Sequence, residues 1–284
     1  MPEQKATIAL IGSGNMGEAI IAGLLRNGLT TADHIHAADP LPDRVADLQA
    51  RYGIRPFTDN TAAAQDADVV ILAVKPQKLK KTLEGLRGKF SSQALVLSIV
   101  AGASIQTIQE GLGHTCVVRS MPNTPAQIGE GITVWTVSAA VREEQVEIAR
   151  EILLALGQEV FVEEESHLDM ATALSGTGPA YVFLFMEALI DAGVHLGFSR
   201  RIAEQLVVQT ILGSVEYYKT RKIHPAALRN DVTSPGGTSA TALYYLEKAG
   251  FRTALSRAVW AAYERSQELG KGRESKDPEQ NTGG

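Results

Sequence analysis

Thr7-Ile8-Ala9-Leu10-Ile11-Gly12-Ser13-Gly14-Asn15-Met16-Gly17 is the stretch whose reading decides the fold. Its first five residues make a short apolar run suited to a central parallel strand, and they pass directly into G-x-G-x-x-G. The motif alone is weak evidence, since a glycine turn can occur anywhere. Here it follows a strand and opens a helix in which Met16, Ile20, Leu24 and Ile21, Leu25 recur at helical spacing. In that context Gly12 allows a tight turn, Gly14 lets a pyrophosphate approach the backbone, and Gly17 permits close helix-to-strand packing. Ser13, Asn15 and Met16 complete a loop that sets phosphates against a helix N-terminus.

Outward from this loop, residues 35–38 read as a second strand ending in Asp39, which lies 22 residues after Gly17. A carboxylate there accepts from the ribose 2′-hydroxyl and repels a 2′-phosphate, which favours NADH. Two observations pull the other way. Arg44 is close enough in sequence to bend back toward a phosphate, and Asp39 before Pro40 also fits a simple turn. Residues 68–74 form a continuous apolar strand pattern that places Ala73, Val74, Lys75 and Pro76 at the ligand-collecting edge of an open sheet, although an exposed loop lysine is equally consistent. Further strands at 94–100 and 115–120 end at Ala101-Gly102 and at Met121-Pro122-Asn123-Thr124-Pro125. The flanking prolines stiffen that last loop, so Asn123 either presents a fixed amide to the ligand or serves as a turn residue. A strand at 131–135, an amphipathic helix at 141–156 and a closing strand at 160–162 follow.

After Glu163-Glu164-Glu165 the pattern changes to helical spacing only, at 168–174, 179–196, 199–219, 240–248 and 252–269. The expected fold is therefore an α/β Rossmann-type domain over 1–164, then an all-α domain over 165–270. Several of these helices are apolar round most of their circumference, more than about a hundred residues can cover alone, which points to a dimer interlocked through them. Residues 179–196 carry Glu187 and Asp191, so a core or interface helix is a better reading than a membrane span. The polar tail, 271–284, is expected to be disordered.

The 284 residues carry 27 Lys+Arg against 32 Asp+Glu, a net charge of -5 without a basic stripe, so nucleic acid is not an expected partner. A single cysteine, Cys116, in an apolar run reads as a buried strand residue, and no signal-peptide pattern precedes Thr7. A reducing cytoplasm fits. The six histidines are scattered without ligand spacing, and no metal is expected. No strong general base stands out either. Oxidation of a secondary alcohol would need one, whereas reduction of an already electrophilic protonated imine asks mainly for orientation.

A second chemistry-bearing stretch is Asp231-Val232-Thr233-Ser234-Pro235-Gly236-Gly237-Thr238-Ser239. Pro235 fixes one backbone angle, Gly236 and Gly237 permit unusual ones, and Thr238 or Ser239 can cap a helix at 240–248. Free N–H groups and two hydroxyls at a helix N-terminus suit a carboxylate, though an ordinary capped loop has the same composition.

These blocks together, with Leu174-Ser175-Gly176-Thr177-Gly178-Pro179-Ala180-Tyr181, resemble the pyrroline-5-carboxylate reductases, in order and over residues 7–269. The resemblance implies NADPH- or NADH-dependent reduction of 1-pyrroline-5-carboxylate to L-proline by homodimers that often assemble further into a decamer. It implies that Ser234, Gly236, Gly237, Thr238 and Ser239 bind the substrate carboxylate, with Thr238 and Ser239 the catalytic hydroxyls. It implies that Asn60 lies near the adenosine and that Lys75 and Pro76 contact the cofactor. Glu165 matches an acid near the ring nitrogen, against its reading as one of three solvated linker acids. Two departures stand out. Thr238-Ser239 replaces a frequent pair of threonines, and Asp39 puts the family's usual NADPH preference in doubt. A reductase of another imine or of a 3-hydroxy acid on the same architecture is the alternative, although residues 169–200 hold no lysine of the kind the latter would need. A non-catalytic nucleotide-binding scaffold is the third.

Overall fold

The computed structural model describes residues 6–270, so the expected disordered tail lies outside the described residues. The first half alternates strand and helix: β1 (Ile8–Ile11), α1 (Asn15–Arg26), β2 (Ile35–Ala38), α2 (Pro42–Tyr52), β3 (Arg55–Phe57), α3 (Asn60–Ala64), β4 (Val69–Leu72), α4 (Pro76–Leu86), β5 (Leu95–Ser98), α5 (Ile105–Leu112) and β6 (Val117–Met121). Then come β7 (Gly131–Val137), α6 (Glu143–Leu154) and β8 (Gly157–Phe161). The rest is helical: α7 (His167–Ala171) runs into a π-helical turn at Thr172–Gly176, followed by α8 (Gly178–His195), α9 (Arg200–Arg221), α10 (Pro225–Asp231), α11 (Thr238–Lys248) and α12 (Phe251–Gly270). The expected fold class, a Rossmann-type α/β half followed by a mostly helical one, is what the chain adopts.

The strands form one sheet in the order β3-β2-β1-β4-β5-β6-β7-β8, parallel throughout except that β7 runs antiparallel to β6. In β1, β2, β4 and β5 every residue is buried, because helices cover both faces. The strand period of two divides the core. Ile8 and Leu10 pack with Ile20, Ile21 and Leu24 of α1 and with Ile152 and Leu153 of α6. Ala9 and Ile11 pack on the opposite face with Leu79 and Leu83 of α4 and Ile108 and Leu112 of α5.

Helix starts follow local chemistry. Pro42 and Pro76 occupy the first positions of α2 and α4, and Asp59 caps α3 by accepting from Thr61 and Ala62 N–H at 3.1 and 3.3 Å. The strand expected over 68–74 is shorter, ending at Leu72. Ala73 still donates to Ile11 C=O at 2.8 Å, but Lys75 and Pro76 already begin α4. The pattern named neither the crossover helices α2 to α5 nor two further short elements. β3 is three residues long and carries Pro56, tolerated because this is the sheet's edge. α10 starts at Pro225, with the His224 ring accepting from Ala226 N–H at 3.1 Å.

By compactness the described residues divide into two units: 6–177 together with 262–270, and Gly178–Ala261. Residues 167–177 thus pack with the sheet, beyond the boundary expected near 164. Within the second unit α8 and α9 approach closely where a Cβ on Gly193 would lie 3.0 Å from the Ala203 Cβ, and the Phe185 and Phe251 rings are 6.3 Å apart. Ala203 is nevertheless the one buried residue among 178–261. The stretch His167–His195 is long and apolar enough, by length and composition, to cross a membrane, and it is mostly exposed in the single chain. Of the two places read for 179–196, where no residue is buried, the chain's own core is therefore excluded.

Candidate functional site

In this sheet order the chain turns to opposite sides after β1, so a crevice opens at the carboxyl ends of β1 and β4. Because β1 to β6 are parallel, the residues after each strand share one edge. Topology therefore gathers there Gly12 to Gly17, Asp39, Asn60, the run Ala73-Val74-Lys75-Pro76, Ala101 and Asn123.

The glycine loop is built as its spacing predicts. Gly12 has φ +95°, and a Cβ on it would lie 2.8 Å from the Ala73 carbonyl oxygen, so the end of β1 and the end of β4 touch through a missing side chain. At Gly17 a Cβ would lie 2.6 Å from Gly12 O and 3.0 Å from Leu10 Cδ2, which is the close helix-to-strand packing expected of the third glycine. Gly14 differs, since a Cβ there would meet no protein atom within 4 Å. That open space lies over the start of α1, where the first intrahelical bond is Glu18 N–H to Gly14 C=O at 2.9 Å. The N–H groups of Asn15, Met16 and Gly17 have no acceptor within the helix and suit a pyrophosphate. These residues fit a dinucleotide.

Other expected cofactor residues acquire definite partners. Ser13 is fully buried and donates its hydroxyl to Ala38 C=O at 3.1 Å, so its side chain serves the turn and not a phosphate. Asp39 accepts from Ser13 N–H at 3.2 Å through Oδ2 and from Leu41 N–H at 3.1 Å through Oδ1. Asn123 accepts from Ile132 N–H at 3.0 Å, which pins the carbonyl end of its amide. Asn60 opens α3, and Lys75, exposed, occupies the N-cap position of α4. Arg44 does bend back, but onto protein: its Nε donates to Ser13 C=O at 2.7 Å and its Nη2 lies 2.6 Å from Glu18 Oε2.

Glu165 is not a solvated linker acid. Its Oε1 accepts from Arg119 Nη1 at 2.9 Å and from Ile105 N–H, at the start of α5, at 2.7 Å. Arg119, 5% exposed, also reaches Asp169 Oδ1 at 3.3 Å, where Ser266 of α12 donates at 2.8 Å. Sequence reasoning passed over Arg119. The available signal was an arginine inside the apolar run of β6, together with two carboxylates four residues apart on its far side.

Within the second unit, a separate candidate site lies at the start of α11. That helix begins at Thr238, with Gly237 as its N-cap in extended conformation and without a side-chain cap bond. The expectation that Thr238 or Ser239 caps a helix from 240 is therefore corrected: both sit in its first turn. The turn is closed by Gly237 N–H to Ser234 C=O at 3.1 Å, and a Cβ on Gly237 would lie 2.7 Å from Ser234 Oγ, so a side chain at 237 would push the Ser234 hydroxyl aside. The first intrahelical bond is Thr241 N–H to Gly237 C=O, leaving the N–H groups of Thr238, Ser239 and Ala240 without an acceptor inside the helix. Ser234 and Thr238 are exposed.

A pyrroline-5-carboxylate reductase from Synechocystis is 44% identical over 264 residues, covering 93% of this chain and 98% of that protein. The chain belongs to the pyrroline-5-carboxylate reductase family. The family model for pyrroline-5-carboxylate reductase dimerisation matches residues 165–269, and that for NADP oxidoreductases, coenzyme F420-dependent, matches residues 7–102. Among solved structures, the pyrroline-5-carboxylate reductase of Coxiella burnetii superposes with a TM-score of 0.84 at 36% identity, covering 94% of this chain and 99% of that one. The pyrroline carboxylate reductase of Plasmodium falciparum, with NADP bound, gives 0.86 at 33%, covering 93% and 98%.

Proposed function

We propose that this chain reduces 1-pyrroline-5-carboxylate to L-proline with NADPH or NADH, the final step of proline synthesis. The observation that carries the reading is the start of α11, where three N–H groups without helical acceptors and the hydroxyls of Ser234, Thr238 and Ser239 share one turn. Near-full-length identity to reductases of this substrate supports it.

A bound dinucleotide would supply the hydride; solvent protonates the imine nitrogen, and once C5 takes the hydride the C=N π pair moves to that nitrogen, leaving the secondary amine. The chain's own residues bind and orient. Gly12 to Gly17 would hold the pyrophosphate, Asp39 and Asn60 the adenosine, and Ala73 to Pro76, Ala101 and Asn123 the rest of the cofactor. Ser234, Gly236, Gly237, Thr238 and Ser239 hold the carboxylate and keep the ring in one pose, which supplies much of the acceleration. Glu165, with Oε1 already accepting two bonds, acts as a fixed negative charge that favours the protonated imine, and solvent is the better source of the proton.

The exposed apolar faces of α8 and α9 are covered by a second copy of the chain, as a homodimer that can assemble into a decamer. The protein is cytoplasmic, with neither membrane nor nucleic acid as a partner. The direct test is to mix the protein with 1-pyrroline-5-carboxylate and follow loss of nicotinamide absorbance with NADH and with NADPH. Turnover is expected, and Thr238→Ala should lower kcat/KM by about tenfold or more, as one lost hydroxyl contact to a charged group would. Silence with both cofactors, or wild-type kinetics in Thr238→Ala, would refute the assignment.

A further inference from the structure

Glu18 lies in the first turn of α1, just past the glycine loop, and gathers three donors. Its Oε2 accepts from Arg44 at 2.6 Å, and its Oε1 accepts from Arg51 at 2.5 Å and from the Tyr52 hydroxyl at 3.0 Å. The Arg44 guanidinium is thereby drawn over the loop and every one of its nitrogens is committed. Nε donates to Ser13 C=O at 2.7 Å, Nη2 also reaches Gly14 C=O at 3.5 Å, and Nη1 reaches Asp47 at 3.4 Å. At the other end of the same residue's backbone, Asp39 accepts from the Ser13 N–H. The backbone of Ser13 is held by a cation at its carbonyl oxygen and by an anion at its N–H, across two successive peptides.

In this topology the adenosine ribose lies at the end of β2, beside Asp39, and a 2′-phosphate there needs a guanidinium with donors to offer. Arg44, in the first turn of α2, is the cation that follows β2 in the chain. We propose that Glu18 is a specificity-determining residue: it holds Arg44 against the glycine loop and so withholds it from a 2′-phosphate, biasing the protein toward the dinucleotide with a free 2′-hydroxyl. The inference rests on the dinucleotide reading above and goes beyond it, because Glu18 touches neither the ribose carboxylate nor the substrate loop. Three carboxylates, Glu18, Asp39 and Asp47, stand against two guanidiniums, Arg44 and Arg51, so the local balance also opposes an incoming phosphate. The lock persists at every working pH, since hydrogen bonding from Arg51, then from Arg44 and Tyr52, holds the Glu18 carboxyl at a pKa of about 2.

The test is calorimetric titration of the full chain with NAD+ and with NADP+, without substrate, for wild type, Glu18→Gln and Glu18→Gln/Arg44→Ala. The ratio of the two Kd values reads the 2′ group alone, so a general loosening of the loop cancels. Wild type is expected to favour NAD+. Glu18→Gln should shift the ratio toward NADP+ by about tenfold, the gain from one charge-assisted hydrogen bond, and the double variant should lose that gain. Glu18→Asp, which shortens the reach to Arg44, serves if the glutamine variant does not fold and should shift the ratio in the same direction. A ratio unmoved in Glu18→Gln, or a gain that survives removal of Arg44, overturns the inference while leaving the reductase reading intact. A wild type that binds neither nucleotide overturns both.

Discussion

The sheet unit and the helical unit are both rich in apolar residues but dispose of them differently. In the first, β1, β2, β4 and β5 are buried on both faces and the two core clusters close over them. In the second, Phe183 and Leu184 of α8 are 60% and 67% exposed, and Leu206 and Leu212 of α9 are exposed as well. The difference teaches that one unit holds a complete core while the other holds part of one, to be completed by a second chain. An apolar surface of that extent on a lone domain would be an association site by default.

The largest effect should come from charging the open face. Leu184→Asp is expected to abolish assembly, read as mass in sedimentation or light scattering, while the sheet unit keeps its fold; an assembly of unchanged mass would break the comparison. Next is the buried cation of the closed unit. Arg119→Met strands Glu165 and Asp169 and should cost about 2–3 kcal/mol, below the full cost of breaking a buried pair because Glu165 is partly exposed. Its unfolding midpoint should fall equally at all protein concentrations, and a concentration-dependent loss would show that the two units are not energetically separate. The smallest effect is on the acid limb. Glu18 has a folded pKa of about 2 against an ordinary 4.5, owing first to Arg51, so its contribution is complete above the ordinary value and is lost as pH falls toward 2. Glu18→Gln should lower stability near neutrality, flatten the stability curve across that window and converge with wild type as pH falls toward 2, measured by urea unfolding at stepped pH.

Legibility followed how local each feature is. The strands that frame the crevice, the glycine loop and the long helices were readable because a buried parallel strand and an amphipathic helix leave unambiguous periods. β3 and α10 were not, since three residues with a proline, or seven starting from one, leave no period to count. At the site, the identity of the loops was readable while their internal bonding was not. Nothing local announces that Ser13 turns its hydroxyl to Ala38, that Arg44 bends to Glu18, or that Arg119 ties Glu165 to the start of α5, since these partners are separated by 25, 26 and 46 residues or more.

The amino-acid order by itself determined the class of fold, the place of the dinucleotide loop, the helical second half and the family, because those depend on short-range pattern and glycine placement. Only the tertiary structure decided which carboxylate meets which guanidinium, that the helix after the Ser234–Gly237 turn begins at Thr238, and that α8 lies outside the chain's own core. Each of these is a matter of which distant segments share a surface, and the free energy that settles it comes from burial and pairing between them, terms that no window of sequence contains.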